Sequence, residues 1–499
     1  MKRPFFIITS SIIIGLFFAA STYAATAART LSLGMSGSDV TELQSKLISL
    51  GYLASGKNTG YFGPLTDTAL KKFQCDKSII CTNATVSGYG LYGPKTRATL
   101  VGLTASVSLA PGMSSSTTST TVSSAPWKGK LEFSGWIPYW RKEKGVEDTL
   151  PHMSQLSSVM PFGFTMKSDG TLADTAKINE EPWKTLIAEA KKKGVRVVPT
   201  VMWGDGDAIH AVLSDATKRV ALEDEIAKVV KDNGFDGIDI DFEAKKHETK
   251  DYFSTFLKGL YQRMGKKWVY CTVEARMPLS HRYLPGQTIP ADATDYANDY
   301  AEMNKYCDRV EIMAYDQGYV DKVLNKARSA PYAPVADPAW VENLVELAAQ
   351  SIDRKKIVIG VPTYGYEYSV TPTSSGSYLY KMLWAFNYKY ATDIAGKLGI
   401  TPARTSANEI GFSYDPARLA AVAPQGDDAT GTQQALAGAE IVGNTGATVD
   451  TSKPFNFLSW SDAQAIKDKV NLAKKLGVRG VAVFKFDGGE DMGMWEVLK

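Results

Sequence analysis

The chain holds 499 residues, 44% of them hydrophobic and 22% charged, a globular composition that excludes wholesale disorder. Its 56 basic and 53 acidic residues leave a formal charge of +3, too small an excess to mark a nucleic-acid partner. Four histidines (His152, His210, His247, His281) show no paired ligand spacing, so no metal site is expected.

Residues 1–24 read as a secretory signal peptide. Lys2 and Arg3 precede the apolar run Phe5 to Ala20, and Thr22-Tyr23-Ala24 supplies small residues for cleavage after Ala24. A retained membrane anchor is the alternative, because the run is only slightly short of a span. No later segment approaches ~20 apolar residues, so no membrane contact is expected once the signal is removed. The mature chain is expected outside the cytoplasm, secreted or associated with the cell wall.

Four cysteines in an exported chain allow three pairings. Cys75 and Cys81 share one short segment, while Cys271 lies in one expected strand and Cys307 just before its neighbour. The economical pairing is Cys75 with Cys81 and Cys271 with Cys307. Two buried free thiols are the alternative for the second pair.

Residues 104–126 form an uncharged serine- and threonine-rich run that buries too little to order itself, and they read as a linker. The segment before it, residues 30–103, reads as three short helices. Val40, Leu43, Leu47 and Leu50 recur at helical spacing behind Asp39, an expected N-cap, and Thr66 and Thr96 are expected to cap the next two helices.

Residues 130–499 alternate strand-like and helix-like segments. Strands are expected at 133–138, 157–164, 196–202, 235–242, 268–274, 309–315, 357–362 and 480–486, several of them continuous apolar runs. Eight such strands with helices between them fit an α/β fold, a (β/α)8 TIM barrel. The stretch at about 366–453 is too long for a connection and is expected to be an inserted α+β subdomain above the barrel mouth.

The segment Phe235-Asp236-Gly237-Ile238-Asp239-Ile240-Asp241-Phe242-Glu243 carries the chemistry. Side chains alternate along a strand, so Asp239, Asp241 and Glu243 share one face and Ile238, Ile240 and Phe242 the other. In a barrel the acid face is the interior. Three carboxylates buried together repel and lose hydration, a cost kept for function, and they must share protons. Glu243, last in the row, reaches the C-terminal mouth, where a raised pKa suits a general acid. A calcium loop is the competing reading, but it would place glycine turns, not large hydrophobes, between its ligands.

At these residues the sequence resembles glycoside hydrolase family 18, whose DxxDxDxE motif is met by Asp236, Asp239, Asp241 and Glu243. A second family signature is met by Met313-Ala314-Tyr315-Asp316. The spore-type branch acting on peptidoglycan is the nearer likeness, through Pro161-Phe162-Gly163-Phe164, Tyr364-Gly365-Tyr366, Trp460-Ser461-Asp462-Ala463 and Gly489-Glu490-Asp491. The N-terminal module resembles a peptidoglycan-binding domain, through Asp39 to Tyr52 and the turns at Phe62-Gly63 and Tyr92-Gly93. Its Cys75–Cys81 segment departs from the simplest form of that pattern.

The resemblance implies a glycosidase that cleaves β-1,4 bonds of N-acetylglucosamine in peptidoglycan, or in chitin, using the substrate's own acetamide and no cofactor. Glu243, Asp241, Asp239 and Tyr315 would be catalytic. Asp236, Met313, Asp316 and Phe484 would bind substrate. Trp136, Trp140 and Trp203 are candidate sugar platforms, since pyranose faces are apolar, with core packing as the equal alternative for each. The family commonly has tryptophan where Phe484 stands. That difference is the best argument for the alternative, a non-catalytic, lectin-like wall protein on the same barrel. Glycan is the expected partner, and a monomer the expected state.

Overall fold

A computed structural model describes residues 30–100 apart from 36, 54–56, 78, 82–88, 94 and 98, and residues 126–420 apart from 375, together with 440–441 and 449–499. The expected signal peptide and nearly all of the expected linker lie outside the described residues. Two compact units emerge, one within 1–119 and one within 120–499.

In the first unit, helices α1 (Ser38–Ser49) and α2 (Pro64–Asp76) bury Val40, Leu43, Leu47, Leu70 and Phe73 with Phe62 and Tyr92, and residues 95–97 and 99–100 are helical. The expected caps are corrected. Gly37 and Gly63 hold the N-cap positions, and Asp39 lies inside the first turn, its Oδ1 accepting from Val40 N at 3.0 Å. Thr66 and Thr96 are buried hydrogen-bond acceptors instead. Gln44 Nε2 donates to Tyr61 O and to Thr66 Oγ1, both at 2.8 Å, while its Oε1 accepts from Gly60 N at 2.8 Å. Thirty positions along, Gln74 repeats the set with Leu91 O and Thr96 Oγ1 at 3.0 Å and Gly90 N at 2.8 Å. The unit is a tandem of one cradle, with the Cys75–Cys81 disulfide only in its second copy.

The second unit is the expected barrel. Its strands are β1 (Glu132–Pro138), β2 (Ser158–Met166), β3 (Thr200–Trp203), β4 (Gly237–Phe242), β5 (Trp268–Glu274), β6 (Arg309–Met313), β7 (Ile357–Pro362) and β8 (Gly480–Phe484). All neighbours are parallel, and β1 pairs with both β8 and β2, which closes the ring. The third strand is split, because Arg196–Val197 also pairs with β2 and Pro199 offers no N–H to the ladder between the two parts. Cys271 and Cys307 form a disulfide between β5 and the approach to β6.

Between β7 and β8 stands a five-stranded antiparallel sheet. Its order is Tyr378–Asn387, Tyr364–Pro372, Phe455–Trp460, Ile410–Tyr414, Ala403–Arg404, and the helix Tyr388–Leu398 packs on it. This α+β insertion begins directly after β7, so Tyr364 and Tyr366 hang over the barrel mouth.

Candidate active site

Strand β4 is buried from end to end. Ile238, Ile240 and Phe242 join the core between barrel and helices, which turns Asp239 and Asp241 inward. Asp239 accepts hydrogen bonds from Trp136 Nε1 at 3.1 Å, Thr200 Oγ1 at 2.8 Å and Thr272 Oγ1 at 2.9 Å. Those donors stand on β1, β3 and β5, so the barrel wall itself holds this carboxylate. Asp241 is next, buried, with no hydrogen-bond partner for Oδ1 among the described residues. Glu243 follows the strand end, half-buried, its backbone N–H donating to Trp203 O at 2.8 Å.

Burial raises the pKa of all three acids. Asp241 is pushed up most clearly, because the Glu243 and Asp239 charges add to the loss of hydration. For Glu243, Glu274 and Asp316 add to burial, while Lys245 and the hydrogen bond with Asp241 oppose it. For Asp239 the three wall donors oppose burial by favouring the ionised form. Each of the three therefore holds its proton more tightly than a free carboxyl group does, and the row titrates as a coupled set.

Beyond β6 come Tyr315 and Asp316. The Tyr315 ring lies parallel to that of Phe484, with centroids 5.5 Å apart. Gly360 on β7 leaves the space for it: a Cβ there would stand 2.8 Å from Tyr315 Cε1 and 2.6 Å from Ile312 O. Asp316, at φ +61, accepts from the Tyr364 hydroxyl at 2.5 Å and the Tyr366 hydroxyl at 2.6 Å, so the inserted sheet is tied to the mouth. Met313 and Phe484 both pack against the cluster of Tyr315, Val335 and Tyr364.

Three expected substrate contacts are corrected. Asp236 lies at the N-terminal base of β4, where its Oδ2 accepts from Val197 N at 2.9 Å. Asp308 makes the same bond to Val269 N one strand pair further round, so this aspartate splices strands at the end away from the mouth. Trp203 points outward and packs its ring edge-on against Phe242 in the barrel–helix core. Trp136 is 2% exposed and acts as the donor that holds Asp239, beneath the cleft surface. Trp140, at 41% exposure, remains open to a ligand, its ring edge-on to Phe162.

Glu274 and Lys245 were missed by reading the sequence. Glu274 Oε1 accepts from Ala244 N at 2.9 Å and Oε2 from Asn298 Nδ2 at 3.0 Å, with the buried Lys245 ammonium 3.8 Å away. Lys245 Nζ also donates to Phe242 O. Together they clamp the turn that carries Glu243, at Ala244 with φ +53. The signal was available: Tyr270, Thr272 and Glu274 alternate along β5 as the acids do along β4.

The family model described as "Glycosyl hydrolases family 18" matches residues 134–489. The chain belongs to this family. Residues 36–80 match a second family, described as "Putative peptidoglycan binding domain". The uncharacterized glycosylase YvbX of Bacillus subtilis is 22% identical over 303 residues, 59% of this chain and 70% of that one. The cortical fragment-lytic enzyme of Bacillus subtilis is 22% identical over 350 residues, 69% of this chain and 67% of that one. Among solved structures, the spore cortex-lytic enzyme SleL of Bacillus megaterium aligns with a TM-score of 0.53 at 20% identity, covering 74% of this chain and 73% of that one. A chitinase from Chromobacterium violaceum aligns at 0.53 and 17%, covering 74% and 98%. The family 18 barrel is a glycosidase, related to cortex-lytic enzymes and chitinases alike.

Proposed function

We propose that this family 18 glycosidase is an exported enzyme that cleaves the β-1,4 bond after N-acetylglucosamine in peptidoglycan, with the substrate's acetamide oxygen as nucleophile. The single observation that carries the reading is the buried row Asp239, Asp241, Glu243. It ends at the mouth in a carboxyl group with a raised pKa, and its middle member has an oxygen free to receive an N–H.

Glu243 protonates the leaving glycosidic oxygen as the acetamide oxygen closes on the anomeric carbon. Asp241 accepts the acetamide N–H and balances the positive charge of the oxazolinium ion that forms. Asp239, held by Trp136, Thr200 and Thr272, keeps Asp241 in register and shares its proton. The Tyr315 hydroxyl steadies the acetamide oxygen, and its ring is braced by Phe484. Glu243, now a carboxylate, takes a proton from the water that opens the ring, which returns the anomeric configuration of the substrate. Asp316 and Trp140 contact neighbouring hydroxyls and sugar faces. The N-terminal match to a peptidoglycan-binding family favours wall glycan over chitin, and the leading segment 1–24 supports export.

The test is mass spectrometry of products from purified peptidoglycan, with chitin oligosaccharides in parallel and Glu243→Gln as control. Muropeptides with a reducing N-acetylglucosamine end, absent with the variant, are expected. Products from chitin alone would move the substrate, and no release from either would favour a lectin-like role.

A further inference from the structure

Beside the acid row lies a cavity of about 730 Å³, a size that suits a sugar with its substituents. Glu274, Tyr315 and Asp316 line it from the catalytic mouth, and Arg282, Tyr283 and Lys322 from the loops after β5 and β6. The Arg282 guanidinium stands 5.5 Å and the Lys322 ammonium 5.3 Å from the centroid of the Tyr283 ring, so two half-buried cations share one aromatic side chain. Neither enters an ion pair among the described residues. Arg282 Nη1 donates to Ala293 O at 2.8 Å and Lys322 Nζ to Gln287 Oε1 at 3.4 Å, both neutral acceptors.

Their spacing is fixed by the residues just before them. His281 Nδ1 lies 2.8 Å from Oδ2 of the fully buried Asp321, whose Oδ1 accepts from Val323 N and Leu324 N at the start of the helix Lys322–Ala327. Arg276, on the same wall, differs: it lies 3.9 and 3.8 Å from the rings of Tyr296 and Tyr300 and donates to Asn298 O, so it is committed to the fold. Exposed Asp295 is the acid on that side.

We propose that Arg282 and Lys322 bind a carboxylate carried by the glycan, and so decide which sugar enters the acid row. This rests on the cell-wall reading above and deepens it. A substituent bearing a carboxylate is repelled by the acids at the mouth and drawn to two cations that lack a counter-charge. The pattern therefore places an uncharged N-acetylglucosamine at Asp241 and Glu243, and an adjacent acid-bearing sugar against Tyr283. The carboxylate belongs either to a lactyl ether on the sugar or to a peptide attached through it.

The test compares kcat/KM of the parent with that of Arg282→Gln/Lys322→Gln on three substrates: a peptide-free glycan with free lactyl carboxylates, an intact muropeptide chain and an uncharged chitin oligosaccharide. The ratio of charged to uncharged substrate should fall about tenfold or more, through KM, and the salt dependence of that KM should flatten. A fall confined to the peptide-free chain assigns the lactyl group, and one confined to the muropeptide assigns the peptide. An unmoved ratio, with the parent cleaving charged and uncharged chains alike, overturns the proposal and leaves the peptidoglycan reading intact. Failure of the parent on both charged chains overturns that reading and the proposal with it.

Discussion

The two ends of the barrel treat buried carboxylates in opposite ways. At the base, Glu132 on β1 meets Arg309 with two hydrogen bonds of 2.7 and 2.8 Å, and Arg196 and Arg479 at 3.3 and 3.1 Å. Burial alone would raise its pKa, but the Arg309 bonds and the three cations outweigh burial and hold it at about 2. At the mouth, Asp239, Asp241 and Glu243 face one another with Lys245 as the nearest cation, and burial prevails. Paired charge locks the end where nothing happens. Like charge left under-compensated raises the proton affinity of the carboxyl groups at the mouth.

Four substitutions probe this contrast. The largest effect is expected from Glu243→Gln, which keeps size and removes the proton donor: kcat should fall about a thousandfold with little change in melting temperature, read by product release and thermal unfolding. Next is Glu132→Gln, which leaves three arginines at the base without their counter-charge. The pKa displaced from 4.5 to about 2 corresponds to about 3 kcal/mol of stability. Because the folded pKa is depressed, that contribution is present above about 4.5 and is lost as pH falls towards 2. Denaturation of parent and variant should therefore differ at pH 7 and converge near pH 2.

Gly360→Ala drives a methyl group into the Tyr315 ring and the Ile312 carbonyl, and should cost about 1–3 kcal/mol through overpacking. It should also lower kcat more than Tyr315→Phe does, since it displaces the ring as well as its hydroxyl. The smallest effect is expected from Glu274→Gln. That substitution keeps an acceptor for Ala244 N but removes a charge that raises the Glu243 pKa. The acid must be protonated to act, so activity is lost as pH rises through its pKa, and the variant's alkaline limb should move to lower pH. A limb that stays in place would show that Glu274 acts only through the turn.

Regular periods made much of this legible in the sequence. The period of two in Ile238 to Glu243 gave the acid face, and the apolar runs gave β5 and β7 to the residue. The same parity, applied strictly, would have excluded Asp236: it stands an odd number of residues before Asp239 and at the strand's base. Trp203 was not legible, because Pro199 splits its strand and leaves no long alternation to set the phase. The cradle repeat around Gln44 and Gln74 is written in Leu43-Gln44, Phe73-Gln74 and the two Gly-Pro turns, but a threonine just behind such a turn fits a helix cap equally well, so the pattern does not separate the two roles at Thr66 and Thr96. The cation pair could not be read at all. Arg282 ends one short helix and Lys322 begins another, forty residues apart, and they are brought together by the His281–Asp321 contact and the Tyr283 ring they share.

The most direct test of the central claim is the anomeric configuration of the first product, followed by proton NMR within the opening minutes of hydrolysis of a β-linked N-acetylglucosamine oligosaccharide. Attack by the acetamide followed by water on the opposite face predicts the β-anomer first, with α growing only by later mutarotation. An α-anomer appearing first would mean that water attacks directly, and would contradict the roles of Asp241 and Tyr315 in aiming the acetamide at the anomeric carbon.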